Sequence, residues 1–197
     1  MRKLITCFVL SVSLLWGVTA QAGVILGNSH GTVLLTEVMD YQCVHCQRMA
    51  PIIDQLMVSH PELKVRIVPV ALLNHMSLVE ATSSLVMASQ HPARWHHYHD
   101  ALLVKSLDAK TFYRALNASH LASEGFTQAM HQPAVQKQIM AGLSLLQRYP
   151  EQSQGKKAMT VPLILIESRC HPDKMAVLHG EASETTLAYG IQEVEHG

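Results

Sequence analysis

Two cysteines three residues apart, Cys43 and Cys46, stand where an apolar, β-branched run gives way to a helical stripe. Upstream, residues 32–39 (TVLLTEVM) have the composition of a buried strand, bounded by the turn-forming residues Gly27 to Gly31. Downstream, Met49, Ile52, Ile53, Leu56 and Met57 recur at helical spacing, and His60-Pro61 closes that segment. Residues 64–70 (KVRIVPV) then form a second strand. Strand, helix and strand in so short a span imply a parallel βαβ unit with the cysteine pair at its helix start.

From about residue 74 to 149 the β signal vanishes. Ser77-Leu-Val-Glu80 has the form of a capping box, opening a helix in which Leu78, Ala81, Leu85 and Ala88 share a face. Helical pieces follow at about 93–105, 109–118 and 123–131. Pro133 suits a first helical position, ahead of a stripe of Val135, Ile139, Leu143 and Leu146. Strand character returns at 161–166 (VPLILI) and 175–178, spaced as an antiparallel hairpin, and Ser183 caps a last helix to about 194. The order βαβ, helical block, ββα divides the chain into 23–73 and 150–197, which carry the sheet, and a helical insertion, 74–149.

Residues 1–22 are set apart. Arg2 and Lys3 precede a short apolar stretch, and Ala20-Gln-Ala22 offers the small residues of a cleavage site. This is the pattern of a secretory signal, too short for a membrane span, and Cys7 is expected to leave with it. Apolar residues are 48% of the chain, ample for a core. Fifteen basic residues balance fifteen acidic ones, which gives no reason to expect nucleic acid or anionic lipid as a partner. The sequon Asn117-Ala-Ser119 matters only if export is eukaryotic. Outside the cytoplasm thiols tend to be oxidised, and the expected mature chain holds an odd set: Cys43, Cys46 and Cys170.

What the pair does is a matter of geometry. A structural zinc site needs four ligands, and the only other candidates, Cys170 and His171, are adjacent and badly spaced. A purely structural disulfide across three residues closes almost no loop and removes little chain entropy. A redox pair has a mechanism. At a helix start the Cys43 sulfur meets unpaired backbone N–H groups and the positive end of the helix dipole, which favour thiolate. Cys46 lies one turn on, placed to attack a mixed disulfide at Cys43, and His45 can donate to the sulfur or set positive charge beside it.

On Cys43-Val-His-Cys46, on Pro51 five positions later and on Thr160-Val-Pro162 before the returning strand, the chain resembles the DsbA family of secreted thiol–disulfide oxidoreductases. The order of elements agrees over nearly the whole mature chain. The resemblance implies a thioredoxin-like α/β fold with an inserted helical subdomain, and a kink tolerated at Pro51. It implies a cis bond before Pro162 close to the cysteines, with Thr160, Val161, Pro162 and Val44 contacting substrate. It further implies that Glu37 is a buried acid assisting proton transfer to Cys46. A strand-end glutamate reaching solvent is the plain alternative.

The activity so implied is oxidation of dithiols in unfolded or partly folded exported proteins, in the periplasm, without cofactor. A DsbB-type, quinone-linked membrane protein would restore the disulfide. Isomerase or reductase activity on the same fold is the alternative. Only about ten residues precede the first strand, too few for a dimerisation module, so a monomer is expected. A different class of function, a histidine- and methionine-based metal binder, rests on Trp95-His-His-Tyr-His-Asp100, where His96, His99 and Asp100 would share a helix face. A solvated histidine-rich face is the simpler reading. Met39, Met49, Met76 and Met159 are soft residues for core or peptide contact. Cys170 is either an exposed thiol able to join two chains or a half-buried inert one.

Overall fold

The computed structural model describes residues 22–103, 109–118, 124–153 and 155–196. The expected signal segment, Cys7 included, lies outside these but for Ala22, as does Ser119 of the sequon. The expected βαβ unit is present. Strand β2 (Val33–Met39) runs parallel to β3 (Leu63–Pro69), with helix α1 (Val44–Ser59) as the crossover. The expected hairpin is present too: β6 (Leu163–Ser168) pairs antiparallel with β2, and β7 (Met175–His179) with β6.

Two features escaped the sequence reading. A short strand β1 (Val24–Gly27) pairs antiparallel with β3 and completes a five-stranded sheet, ordered β1-β3-β2-β6-β7. Its four residues are too few to display a period. A separate hairpin of β4 (Glu151–Ser153) and β5 (Lys156–Ala158) is polar and exposed, so no apolar signal marks it.

Alternation along β2 sorts the sheet into two faces. Val33, Leu35 and Met39 enter a core shared with Met49, Ile53 and Leu56 of α1 and Leu187, Ile191 and Val194 of α7 (Glu184–His196). Glu37 has the same parity and therefore points into this face. Val38 points the other way, joining Val68, Val70, Leu163 and Leu165 under Leu146 of α6 (Pro133–Arg148). Pro51 falls on the exposed side of α1 and leaves the Gln47 carbonyl without its usual donor, yet the helix runs through it.

The helices between β3 and β6 are α2 (His75–Gln90), α3 (Pro92–Leu102), α4 (Ala109–Ala118), α5 (Glu124–Met130) and α6. Helix α2 starts earlier than the Ser77 signature indicates. Asn74 is its N-cap, accepting from the N–H groups of Met76 (2.8 Å) and Ser77 (3.2 Å), while Ser77 Oγ accepts from the Asn74 N–H. Ser77 is thus the third residue of a capping box, not its first. Leu78 is exposed rather than on the buried face, because α2 is covered along Glu80–Met87 by neighbours on several sides. Ser183 caps α7 as expected, accepting from the Thr186 N–H at 3.1 Å.

Helix α6 seats on the sheet through Gly142, where an added Cβ would lie 2.5 Å from Val70 Cγ1 and 2.9 Å from Val68 Cγ1. Overpacking of this kind costs about 1–3 kcal/mol, against a helix-propensity gain of roughly 1 kcal/mol for Gly to Ala. Gly142→Ala should therefore lower the denaturation midpoint. Gly125→Ala, where nothing lies within 4 Å, should leave it unchanged or raise it. Equal midpoints for Gly142→Ala and the unsubstituted protein would contradict the close seating.

Candidate active site

The sheet brings β2 to an end at Met39, and the next three residues turn the chain into α1. Asp40 organises that turn. Its Oδ1 accepts from the Gln42 N–H (2.9 Å), and its Oδ2 from the N–H groups of Leu72 (2.9 Å) and Leu73 (3.1 Å) beyond β3. Its carbonyl accepts from the Cys43 N–H at 2.9 Å. Tyr41 is buried in the helical insertion, its hydroxyl 2.7 Å from Ser84 Oγ and 2.8 Å from His99 Nδ1. Gln42 donates to Glu80 Oε2 at 2.8 Å and accepts from Asn74. The residues ahead of the cysteines are therefore held from β3, from α2 and from α3.

Cys43 is the N-cap of α1, in an extended conformation. It makes no conventional side-chain capping bond. Its sulfur instead takes hydrogen bonds from the Cys46 thiol and from the backbone N–H groups of Cys46 and His45. These donors draw the Cys43 thiol down from an ordinary 9.0 to about 6, the Cys46 thiol contributing most, against burial, which pushes it up. Cys46 is inside the core, and burial drives its thiol far upward, reinforced by its bond to Cys43 and by Glu37. Both cysteines are free thiols.

Glu37 is 2% exposed, which removes the alternative of a strand-end glutamate reaching solvent. Burial, and then the Cys43 charge, raise its carboxyl from 4.5 to about 8. Its Oε1 has no hydrogen-bond partner among the described residues. The segment expected beside the cysteines is there as well. Val161-Pro162 is a cis peptide, and the Val161 carbonyl lies 3.4 Å from Cys43 Sγ, placed to accept from the thiol form. Thr160 Oγ1 is buried without a partner among the described residues, and Val44 is 42% exposed beside the pair.

His45 acts on the sulfur in both of the expected ways, by a hydrogen bond and by charge, but its ring is also held from elsewhere. The hydrogen bond it gives the sulfur comes from its backbone, while its ring Nδ1 lies 3.0 Å from Glu181 Oε2; the ring adds a smaller, charge-based lowering of the Cys43 thiol. Arg48 reaches the same oxygen at 3.3 Å. Glu181, Arg48, Asp40, Tyr41, Glu80 and His99 all escaped the sequence reading as parts of this region. Only Asp40 had a local signal, as a side chain able to bond the N–H two residues on.

The expected metal set fails at His99. That ring is buried, stacked on Trp95 at 4.5 Å and bonded to Tyr41, and burial lowers it to about 3. His96 instead lies between Asp54 of α1 (3.9 Å) and Asp100 (3.8 Å), in an exposed ion-pair cluster. Of the methionines, Met39 and Met49 are core, Met76 is partly buried and Met159 is exposed. Cys170 is half-buried and disulfide-bonded, not a free thiol.

Alkylation of the reduced protein should accordingly follow a single titration near pH 6 at Cys43. Cys46 should stay unmodified until the fold is opened. A midpoint near 8.5, the free-cysteine value, would contradict the geometry.

No family model and no curated protein matches the chain. Its shape is nonetheless found among solved structures. One is a thioredoxin-like oxidoreductase from Silicibacter pomeroyi DSS-3, with a TM-score of 0.75 at 20% identity over 89% of this chain and 93% of that one. Another is a periplasmic thioredoxin-like protein from Salmonella enterica serovar Typhimurium, with a TM-score of 0.70 at 18% identity over 87% and 88%. A third is the thiol-disulfide exchange protein alpha-DsbA2 from Wolbachia pipientis, with a TM-score of 0.70 at 18% identity over 88% and 87%. At such identities the likeness is one of architecture: the chain has the thioredoxin-like fold.

Proposed function

We propose that this protein is a DsbA-type thiol–disulfide oxidoreductase that oxidises dithiols in exported proteins. The observation that carries the reading is the split between two thiols one helical turn apart: Cys43 drawn down to about 6, Cys46 pushed far up by burial. In the disulfide form a substrate thiolate attacks Cys43 Sγ. The Cys43–Cys46 bond breaks, its electron pair goes to Cys46, and Cys46 takes up a proton, for which protonated Glu37 is the source. A second substrate thiolate then attacks the substrate sulfur of the mixed disulfide and expels Cys43 as thiolate, a good leaving group at its lowered pKa. The substrate loses two electrons, and Cys43 and Cys46 gain them.

Thr160, Val161, Pro162 and Val44 frame Cys43 and serve as the substrate contact. The Val161 carbonyl at 3.4 Å from the sulfur supports that role. Unfolded or partly folded proteins with cysteine pairs are the substrates, and no cofactor is needed because the electrons stay on sulfur. A quinone-linked membrane oxidase of the DsbB type would regenerate the disulfide. A periplasmic location follows from the signal-like first residues and is supported by the periplasmic Salmonella neighbour. The protein acts as a monomer, the sheet-bearing segments 23–73 and 150–197 supplying the redox pair and the insertion 74–149 bracing it.

The direction of exchange is testable through linkage. A thiol at about 6 when folded and 9.0 when unfolded contributes stability fully present above pH 9 and lost as pH falls through 6. Glu37 works the opposite way. Its carboxyl is raised, so the stability it lends is present below 4.5 and lost as pH rises through about 8. Glu37→Gln removes that second titration and is the background of choice. In it, the reduced protein should melt above the oxidised one near pH 9, with the gap closing by about pH 6. An oxidised form that melts higher throughout would point to a reductase or a structural bridge.

A further inference from the structure

We infer that Glu181 is a positioning residue of the redox site, holding the His45 ring in place beside Cys43. The inference rests on the reading of Cys43 as the attacking thiol. Its ground is a contact between parts of the chain 136 residues apart, which no local motif announces.

Glu181 stands in the turn between β7 and α7, and that turn is pinned on both sides. The Gly180 N–H donates to the Pro162 carbonyl at 2.9 Å, with Gly180 at a φ of 76° that favours glycine. The Ala182 N–H points at Met49 Sδ on α1 at 3.3 Å. One anchor is therefore the residue after Val161, whose carbonyl faces Cys43, and the other is the active-site helix itself. Between them the carboxylate meets His45 Nδ1 at 3.0 Å and Arg48 Nη1 at 3.3 Å, side chains three residues apart on one face of α1.

The first turn of α1 holds no acidic residue of its own. Glu181 supplies the anion that the positive helix end favours. Its own carboxyl is held below the usual range, first by the bond from His45 and then by that from Arg48. Acceptance by a carboxylate requires the proton on Nδ1, which fixes how the ring is turned and leaves Nε2 directed away from Glu181. The groups acting on Cys43 are Cys46 and His45 from α1 and Glu37 from β2, through its effect on Cys46 and its response to the Cys43 charge. Those facing Glu181 are His45 and Arg48. Exposed pairs add little to stability, so the consequence of this one lies in orientation.

The test is a titration of the Cys43 thiolate by absorbance in the reduced protein, for the unsubstituted chain, Glu181→Ala, His45→Ala and the double variant. Freed of its acceptor, the His45 ring leaves the sulfur, and Glu181→Ala should raise the midpoint by about half a unit, roughly threefold in thiolate ratio. In the His45→Ala background the same substitution should not raise it. Removal of a carboxylate acting directly on the sulfur would lower the midpoint instead. A lowered or unchanged midpoint, or an equal rise without His45, overturns the assignment of Glu181 while Cys43 keeps its acidity. A midpoint near the free-cysteine value in the unsubstituted protein brings down the reading of Cys43 itself, and this assignment with it.

Discussion

The site depends on one step of the chain, from the mouth of a helix to its buried flank. Cys43 is the N-cap, where its sulfur collects the donors that an α-helix leaves unsatisfied at its start. Cys46, three residues later, is on the stripe that continues through Met49, Ile53 and Leu56 into the core. Identical side chains, both buried, thus meet different surroundings: donors at the helix start for one, the desolvating core for the other. The amphipathic helix that closes the core under the sheet is the same device that makes one thiol acidic and the other reluctant to ionise. Chemistry and packing cannot be separated here: moving the helix start by one residue would change both.

That helix start is fixed from outside. Asp40, at the end of β2, bonds the N–H groups of the active-site turn and of the segment leaving β3, joining the ends of two parallel strands. Tyr41 carries the bracing into the insertion through Ser84, His99 and the stacked Trp95, whose ring N–H donates to the same Ser84 hydroxyl at 3.0 Å. Glu80 of α2, itself raised by burial to about 7, is held by Gln42. The inserted helices are therefore part of the frame that holds the cysteine pair. A neutral His99 suits that role, because a charged imidazole stacked between buried aromatic rings would carry a desolvation cost without a carboxylate to offset it.

Much of this was legible in the sequence wherever a signal is local. The apolar, β-branched run of β2, the stripe in α1, the Cys43–Cys46 spacing and the Pro133 helix start are properties of short windows. The burial of Glu37, by contrast, is expected from the resemblance alone. What stayed illegible depends on contacts made at long range. Glu181 and Arg48 look like ordinary surface charges until the β7–α7 turn is folded against α1. His99 looked like a partner of His96, because helix spacing says which residues are neighbours but not which side the tertiary structure covers. Leu78 failed for the same reason in reverse. The Ser77 signature is ambiguous because Asn74, an equally good cap, stands three residues before it, and local signals cannot rank two overlapping boxes.

A boundary between charge and neutrality passes between the two sulfurs. On one side stands Cys43, buried but favoured as thiolate by the donors at the helix start, with the exposed pair of Arg48 and the Glu181 carboxylate near it. On the interior side Cys46 and Glu37 hold protons, because burial penalises both anions. In the proposed exchange, a bond made or broken at Cys46 would move a proton in the interior, where no other described carboxyl shares this face of β2. Glu37, at about 8, sits close enough to neutrality to give or take it. Its unpartnered Oε1 then has a physical reason. A fixed donor there would stabilise the carboxylate and lower the pKa, whereas an oxygen left free keeps the proton exchangeable at a cost in stability that the surrounding core bears.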